Sequence, residues 1–183
     1  MYTTRRNRRS SASRERILAA VRALLEEGAF HESTVEEVAA RAGVSRATLY
    51  GHFGSRIGLV DAMCESFDAN PALVALRETS DLDRWIERVV DFWSSEEKVL
   101  AQLYGAAAVD LAARDLVERQ TRDRYGELKA LMRALCREDP DAQAALGVLT
   151  SFETYLELRR RLGKPKRQVV AVLQAQAGAL LRR

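Results

Sequence analysis

A chain of 183 residues, 47% of them hydrophobic, has apolar material for one large core or two small ones, and its ten glycines and three prolines are few. Ala, Leu, Arg and Glu dominate instead, which favours helix and disfavours a β-rich fold. Formal net charge is only +3, yet residues 1–16 hold six arginines against one glutamate, so a basic arm precedes a slightly acidic body, a distribution suited to a polyanionic partner.

Residues 1–12, rich in Arg, Ser and Thr, are expected to form a flexible arm. Ser13 offers an N-cap for a helix reaching about Glu27, with Ile17, Leu18, Ala20, Val21, Leu24 and Leu25 on one stripe and Gly28 ending it. Thr34, with Glu37 three residues on, forms a capping box for a short helix whose inner side is Val35, Val38 and Ala39. Gly43 supplies a tight turn, Val44 plugs its corner, and Ser45 caps a helix of about two turns. Leu49 and Phe53 of that helix face the core; Ala47 and Gly51 lie roughly opposite, flanked by Thr48 and Tyr50. Gly54-Ser55 leads into a fourth helix with Ile57, Leu59, Val60, Met63, Cys64 and Phe67 apolar, and Asn70-Pro71 closes a first unit over 13–70.

Residues 71–183 read as a second, larger helical unit. Segment 81–93 is rich in large apolar residues, and Ser94 with Glu97 has the pattern of another capping box. A helical stretch over about 110–138 follows. Asp139-Pro140 then opens a helix reaching Leu162 and ending at Gly163, and Pro165 opens the last.

The informative segment is Thr34–Phe53. Two short helices about a tight turn, the second with small, hydroxyl, aromatic and basic residues on its outer side, have the layout of a helix-turn-helix whose second helix enters the DNA major groove. Small Ala47 and Gly51 let the backbone approach the groove floor. Thr48 suits a base edge or a thymine methyl, and Arg46 a guanine or a phosphate. Tyr50 and His52 suit phosphate oxygens, Ser33, Thr34 and Ser45 stand at helix N-termini that favour an anion, and Arg56 adds a cation. The bland alternative is a helical hairpin with ordinary caps. Arm residues Arg5, Arg6, Arg8 and Arg9 either enter the minor groove or form a solvated tail of salt-dependent affinity.

The run Arg14-x-x-Ile17-Leu18-x-Ala20, Gly28-x-Phe30, Thr34-Val35, Val38-Ala39, Ala42-Gly43-Val44-Ser45, Thr48-Leu49-Tyr50-x-His52-Phe53 and Ser55-Arg56-x-x-Leu59 resembles the tetracycline-repressor-like (TetR) regulators over about the first third of the chain. Ala47 stands where that family often has Gly, Arg56 where Lys is usual and Ile57 where an acid is frequent. The resemblance implies an all-α protein with an N-terminal three-helix DNA-binding head and a larger C-terminal ligand-binding and dimerisation domain. It further implies a homodimeric repressor of a palindromic operator in double-stranded DNA, released by a small-molecule effector; the alternatives are a partner-gated or architectural DNA binder without a small-molecule pocket and a helical protein that does not bind DNA.

Stripes on the last two helices bear on assembly. Ala145, Leu149, Phe152 and Leu156 on one, and Val169, Leu173, Ala177 and Leu180 on the other, with Ala171, Ala175, Ala177, Gly178 and Ala179 small enough for close helix packing, either close a four-helix dimer seam or cover their own subunit's core. With the resemblance, the seam is favoured. Trp85, Phe92, Trp93, Tyr104, Tyr125, Phe152 and Tyr155 either line an effector pocket or are plain core. Arg124 lies on an apolar stripe with Leu128 and Leu131, where it meets an acidic ligand, pairs with a neighbouring acid or reaches the surface. Cys64 and Cys136 read as small core hydrophobes. Two cysteines are too few for a disulfide framework, no apolar run approaches the roughly 18–20 residues of a membrane span, and no signal peptide is evident, so a cytoplasmic protein without a membrane partner is expected. With only His31 and His52 as histidines, and no metal-ligand spacing, nucleophile elbow or phosphate-cradling loop, an enzyme, a metal and a cofactor are not expected.

Overall fold

The computed structural model describes residues 2–137 and 139–182, with side chains from residue 10 onward. It is helical throughout: α1 (Tyr2–Glu26), α2 (Val35–Arg41), α3 (Arg46–Phe53), α4 (Arg56–Glu65), α5 (Pro71–Arg77), α6 (Leu82–Ala107), α7 (Leu111–Ala134), α8 (Pro140–Leu149), α9 (Phe152–Leu156) and α10 (Lys166–Leu180). The chain divides into two compact units. Residues 1–67 and 98–117 form the first, residues 68–97 and 118–183 the second, so α6 and α7 each contribute to both.

In the first unit, α1 packs on α2, α3 and α4. Its stripe of Ile17, Ala20, Val21, Leu24 and Leu25 is buried, together with Val38, Leu49, Leu59 and Met63. Ser13 does not start α1: it lies well inside a helix that begins at Tyr2. No Gly or Pro interrupts residues 1–27, and Arg is a good helix former, so the arm continues the helix rather than stopping at a cap.

In the second unit the core is Trp85, Ile86, Val89, Leu128, Leu131, Leu146, Phe152, Tyr155, Val169, Leu173 and Ala177, and α10 packs against α8. Two expected boundaries are corrected. Ser94 caps nothing, because α6 runs unbroken through it, and the Glu97 carboxylate is taken by Tyr155 and Arg160 instead. The helix opened by Pro140 stops at Leu149. Ser151 caps a new start, accepting from the Thr154 amide at 3.2 Å, and α9 then widens into a π-helical turn over Glu157–Arg161.

Cys64 is buried, whereas Cys136 is exposed, contrary to the core role expected for it. The reason is its position: with φ 54° it occupies the left-handed residue that closes α7, and the Arg137 amide reaches back to the Met132 carbonyl at 2.9 Å, turning the side chain outward.

Candidate nucleic-acid interface

The geometry of the helix-turn-helix follows from three caps. The Glu37 amide donates to Thr34 Oγ1 at 3.2 Å while the Thr34 amide donates to Glu37 Oε2 at 2.6 Å, closing the capping box of α2. Gly43, at φ 63°, makes the turn, and the Val44 amide returns to the Ala39 carbonyl at 3.0 Å. Ser45 Oγ accepts from the Thr48 amide at 3.1 Å and lies 2.8 Å from Thr48 Oγ1. Leu49 is fully buried and anchors α3. Phe53, expected beside it in the core, is only half-buried, with the Arg14 guanidinium 5.6 Å over its ring.

Away from Leu49, Arg46, Ala47, Tyr50 and Gly51 are exposed and Thr48 and His52 half-buried. A methyl group at Gly51 would meet nothing within 4 Å. Gly51 has no neighbour in its own subunit that requires its smallness, although glycine inside a helix costs about 1 kcal/mol relative to alanine. Arg46 is held from two sides: its Nη1 lies 2.5 Å from Glu36 Oε1, and its guanidinium stands 5.3 Å over the Tyr50 ring. Tyr50, and then the charge of Glu36, push the Arg46 guanidinium above its ordinary pKa.

Arg56 is the clearest departure from expectation. Its guanidinium donates to the carbonyls of Phe30 and Ser33 and stacks 4.2 Å over the Phe30 ring, and burial lowers its pKa. It braces the 30–33 turn that delivers Ser33 and Thr34 to the start of α2. The side chains of Arg5, Arg6, Arg8 and Arg9 lie outside the described residues.

Sequence reasoning missed Gly58. A methyl group there would stand 2.1 Å from the Phe53 carbonyl oxygen, so the end of α3 and the start of α4 meet at a contact only glycine fits. A lone glycine in an otherwise apolar helix start was the available signal.

The residues expected to line an effector pocket fall in both units: Tyr104 in the first, the other seven in the second. Trp85, Phe92, Trp93, Phe152 and Tyr155 are buried, and Phe92–Trp93, Trp93–Phe152 and Phe152–Tyr155 lie 5.1, 5.5 and 5.9 Å apart, the packing of an aromatic core. Arg124 Nη1 donates to the Gly147 carbonyl at 2.9 Å and to Thr150 Oγ1 at 3.3 Å, so it closes the C-terminus of α8. Tyr125 packs against Gly147, where a methyl group would come within 2.3 Å of its ring. A cleft of about 220 Å³ opens elsewhere in the second unit, lined by Leu76, Arg77, Trp85, Glu127 and Leu131 among others.

Of the residues assigned to a dimer seam, Phe152, Val169, Leu173 and Ala177 are buried within their own subunit, while Leu149, Leu156 and Leu180 are half-buried. Outward stand Ala144, Ala145 and Val148 on α8, and Ala171, Ala175 and Ala179 on α10, of which Ala145 and the three α10 alanines belong to the expected seam set. Both helices are amphipathic with their most apolar side turned inward, because large aliphatics fill the subunit core and leave small residues outside. No helix among the described residues is long and apolar enough to cross a membrane.

Helices α1–α4, with a capped turn and a small, polar outer face on α3, define a helix-turn-helix DNA-binding protein. Residues 17–63, the core of that head, match the family described as bacterial regulatory proteins, tetR family. Similar solved structures include GusR of Salmonella enterica (20% identity, TM-score 0.74, 93% of this chain and 96% of that one). NalD of Pseudomonas aeruginosa, the secondary repressor of the MexAB-OprM multidrug efflux pump, is similar at 21% identity and TM-score 0.69 (93% and 96%). A transcriptional regulator from Saccharomonospora viridis, in complex with choline, is similar at 18% identity and TM-score 0.68 (90% and 95%). At these identities the likeness concerns the fold. A comparison with curated sequences finds no match.

Proposed function

We propose that the protein is a homodimeric repressor that binds a palindromic operator through α3 and is released by a small-molecule effector. The observation that carries the DNA reading is the outer face of α3, where Ala47 and Gly51 leave the helix backbone open between Arg46, Thr48, Tyr50 and His52. In this reading Arg46, Ala47 and Thr48 meet base edges, and Tyr50, His52 and the Ser33–Thr34 and Ser45 helix starts meet phosphates. Arg56 acts indirectly by bracing the 30–33 turn, and Arg5, Arg6, Arg8 and Arg9 add salt-dependent affinity. The seam is formed by the outward faces of α8 and α10.

An effector acts by population shift, favouring a dimer state whose two recognition helices no longer match successive major grooves roughly 34–36 Å apart. The Saccharomonospora viridis regulator in complex with choline supports entry of a small molecule into this fold. The 220 Å³ cleft beside Trp85 is the candidate entrance.

Selection of bound sequences from random duplex DNA tests the reading. Enrichment of a two-fold symmetric site by the wild type, lost in Thr48→Ala/Tyr50→Ala with helicity and oligomeric state retained, is the expected result. Enrichment of the same site by the double variant would remove α3 as the reader. A thermal-shift screen over small cations and neutral metabolites tests the effector, since a ligand preferring the native state raises the midpoint.

A further inference from the structure

The two adjacent acids at the start of α2 have different jobs. Glu37 is committed to the capping box with Thr34, whereas Glu36 points across the turn to α3 and pairs with Arg46 at 2.5 Å. Both members of that pair are more than half exposed, and exposed pairs contribute little to stability. Nor does the fold need it to fix the two helices, since the capping box, the Gly43 turn and buried Leu49 already do so. What the pair controls is the direction and chemistry of Arg46. The ring of Tyr50 and the carboxylate of Glu36 hold the guanidinium between them. Glu36 lies against Nη1 and Tyr50 is the other partner, whereas a guanidinium carries five N–H donors, more than two such partners use. A carboxylate beside the group also offsets the charge that would otherwise draw it to the nearest phosphate.

We infer that Glu36 is a specificity-determining residue that acts through Arg46, withholding its guanidinium from the DNA backbone and presenting it to a base. This rests on the reading of α3 as the recognition helix. Freed of Glu36, Arg46 takes a phosphate, a contact that adds affinity without sequence information.

The test is selection from a random duplex library with wild type, Glu36→Gln, Arg46→Ala and the double variant, followed by salt titration on the selected and on random duplexes. Glu36→Gln is expected to lower the preference at the Arg46-dependent base pair about two- to fivefold, the coupling of an exposed pair. It should also tighten binding to random duplex and steepen the salt slope by about one. In the Arg46→Ala background the same substitution should leave base preference unchanged. An identical preference in wild type and Glu36→Gln overturns the inference while leaving α3 as the reader. A change of preference by Glu36→Gln in the Arg46→Ala background overturns it too, because Glu36 would then read a base itself. A wild type that enriches no sequence overturns the recognition-helix reading, and this inference with it.

Discussion

Two glycines in the head, seven residues apart, make opposite demands. Gly58 faces the Phe53 carbonyl so closely that a methyl group would stand 2.1 Å away, whereas a methyl group at Gly51 would meet nothing. Gly58→Ala should therefore separate the end of α3 from the start of α4, costing about 1–3 kcal/mol as an overpacking substitution and weakening DNA binding by displacing the reader. Gly51→Ala should do the reverse to the free protein, stabilising it by up to about 1 kcal/mol through helix propensity, while still weakening DNA binding because the new methyl occupies the approach. Denaturant midpoints and affinity for a selected duplex, measured on both variants, check this; a Gly51→Ala protein with unchanged affinity would mean that no partner approaches that face. The sequence made Gly51 legible because its helical position opposes Leu49. Gly58 was legible only as a glycine in an apolar helix start and not as a close contact, since the atom it must avoid is a carbonyl set by the bend between two helices. Arg56 was legible as a cation but not as a brace, for its acceptors are backbone carbonyls, which have no sequence signature.

At the scale of elements, caps were legible where the cap residue is followed by a real change of direction. Thr34 and Ser45 fulfil that condition, and so does Asp139, whose Oδ1 accepts from the Asp141 and Ala142 amides. Ser94-x-x-Glu97 has the same pattern and caps nothing, because the apolar stripe of α6 continues through it and Glu97 has distant partners. Its carboxylate accepts from Tyr155 Oη at 2.7 Å and Arg160 Nε at 2.8 Å. Burial alone would raise its pKa, but the Tyr155 and Arg160 hydrogen bonds and the arginine charges outweigh that, so the folded value lies below the ordinary one of 4.5. A depressed acid contributes stability above its unfolded pKa and loses it as pH falls through the folded one. Glu97→Gln should then cost about 1–2 kcal/mol near pH 7, with the gap to wild type closing below about pH 4. Urea midpoints at pH 7 and pH 3 measure it. A gap that persists unchanged at pH 3 would show that the carboxylate charge is not what α9 and its π-helical turn hold.

For the whole molecule, the least legible feature was which residues of α8 and α10 stay outward in the subunit. Periodicity finds a stripe but not its partner: Val169, Leu173 and Ala177 satisfy the requirements of a subunit core and of a dimer seam equally well, and only the packed subunit assigns them to the first. What remains outward is Val148, 65% exposed, with Ala144 and Ala145 on α8 and Ala171, Ala175 and Ala179 at four-residue spacing on α10. Small side chains permit close helix approach, and one larger aliphatic among them is the residue whose burial would gain most from assembly. Val148→Asp should accordingly yield a folded monomer, because an exposed position tolerates the charge in the subunit while a seam would bury it unpaired. Two linked heads bind two half-sites with an effective concentration that separate heads lack, so the loss for a two-half-site duplex should reach about 10²-fold, while affinity for a single half-site stays at the wild-type value. Sedimentation and binding to the two duplexes separate the outcomes. A dimer that survives Val148→Asp places the seam elsewhere. A monomer that keeps full affinity for the longer duplex would mean that α3 reads DNA without the two-fold coupling on which the proposed effector release rests.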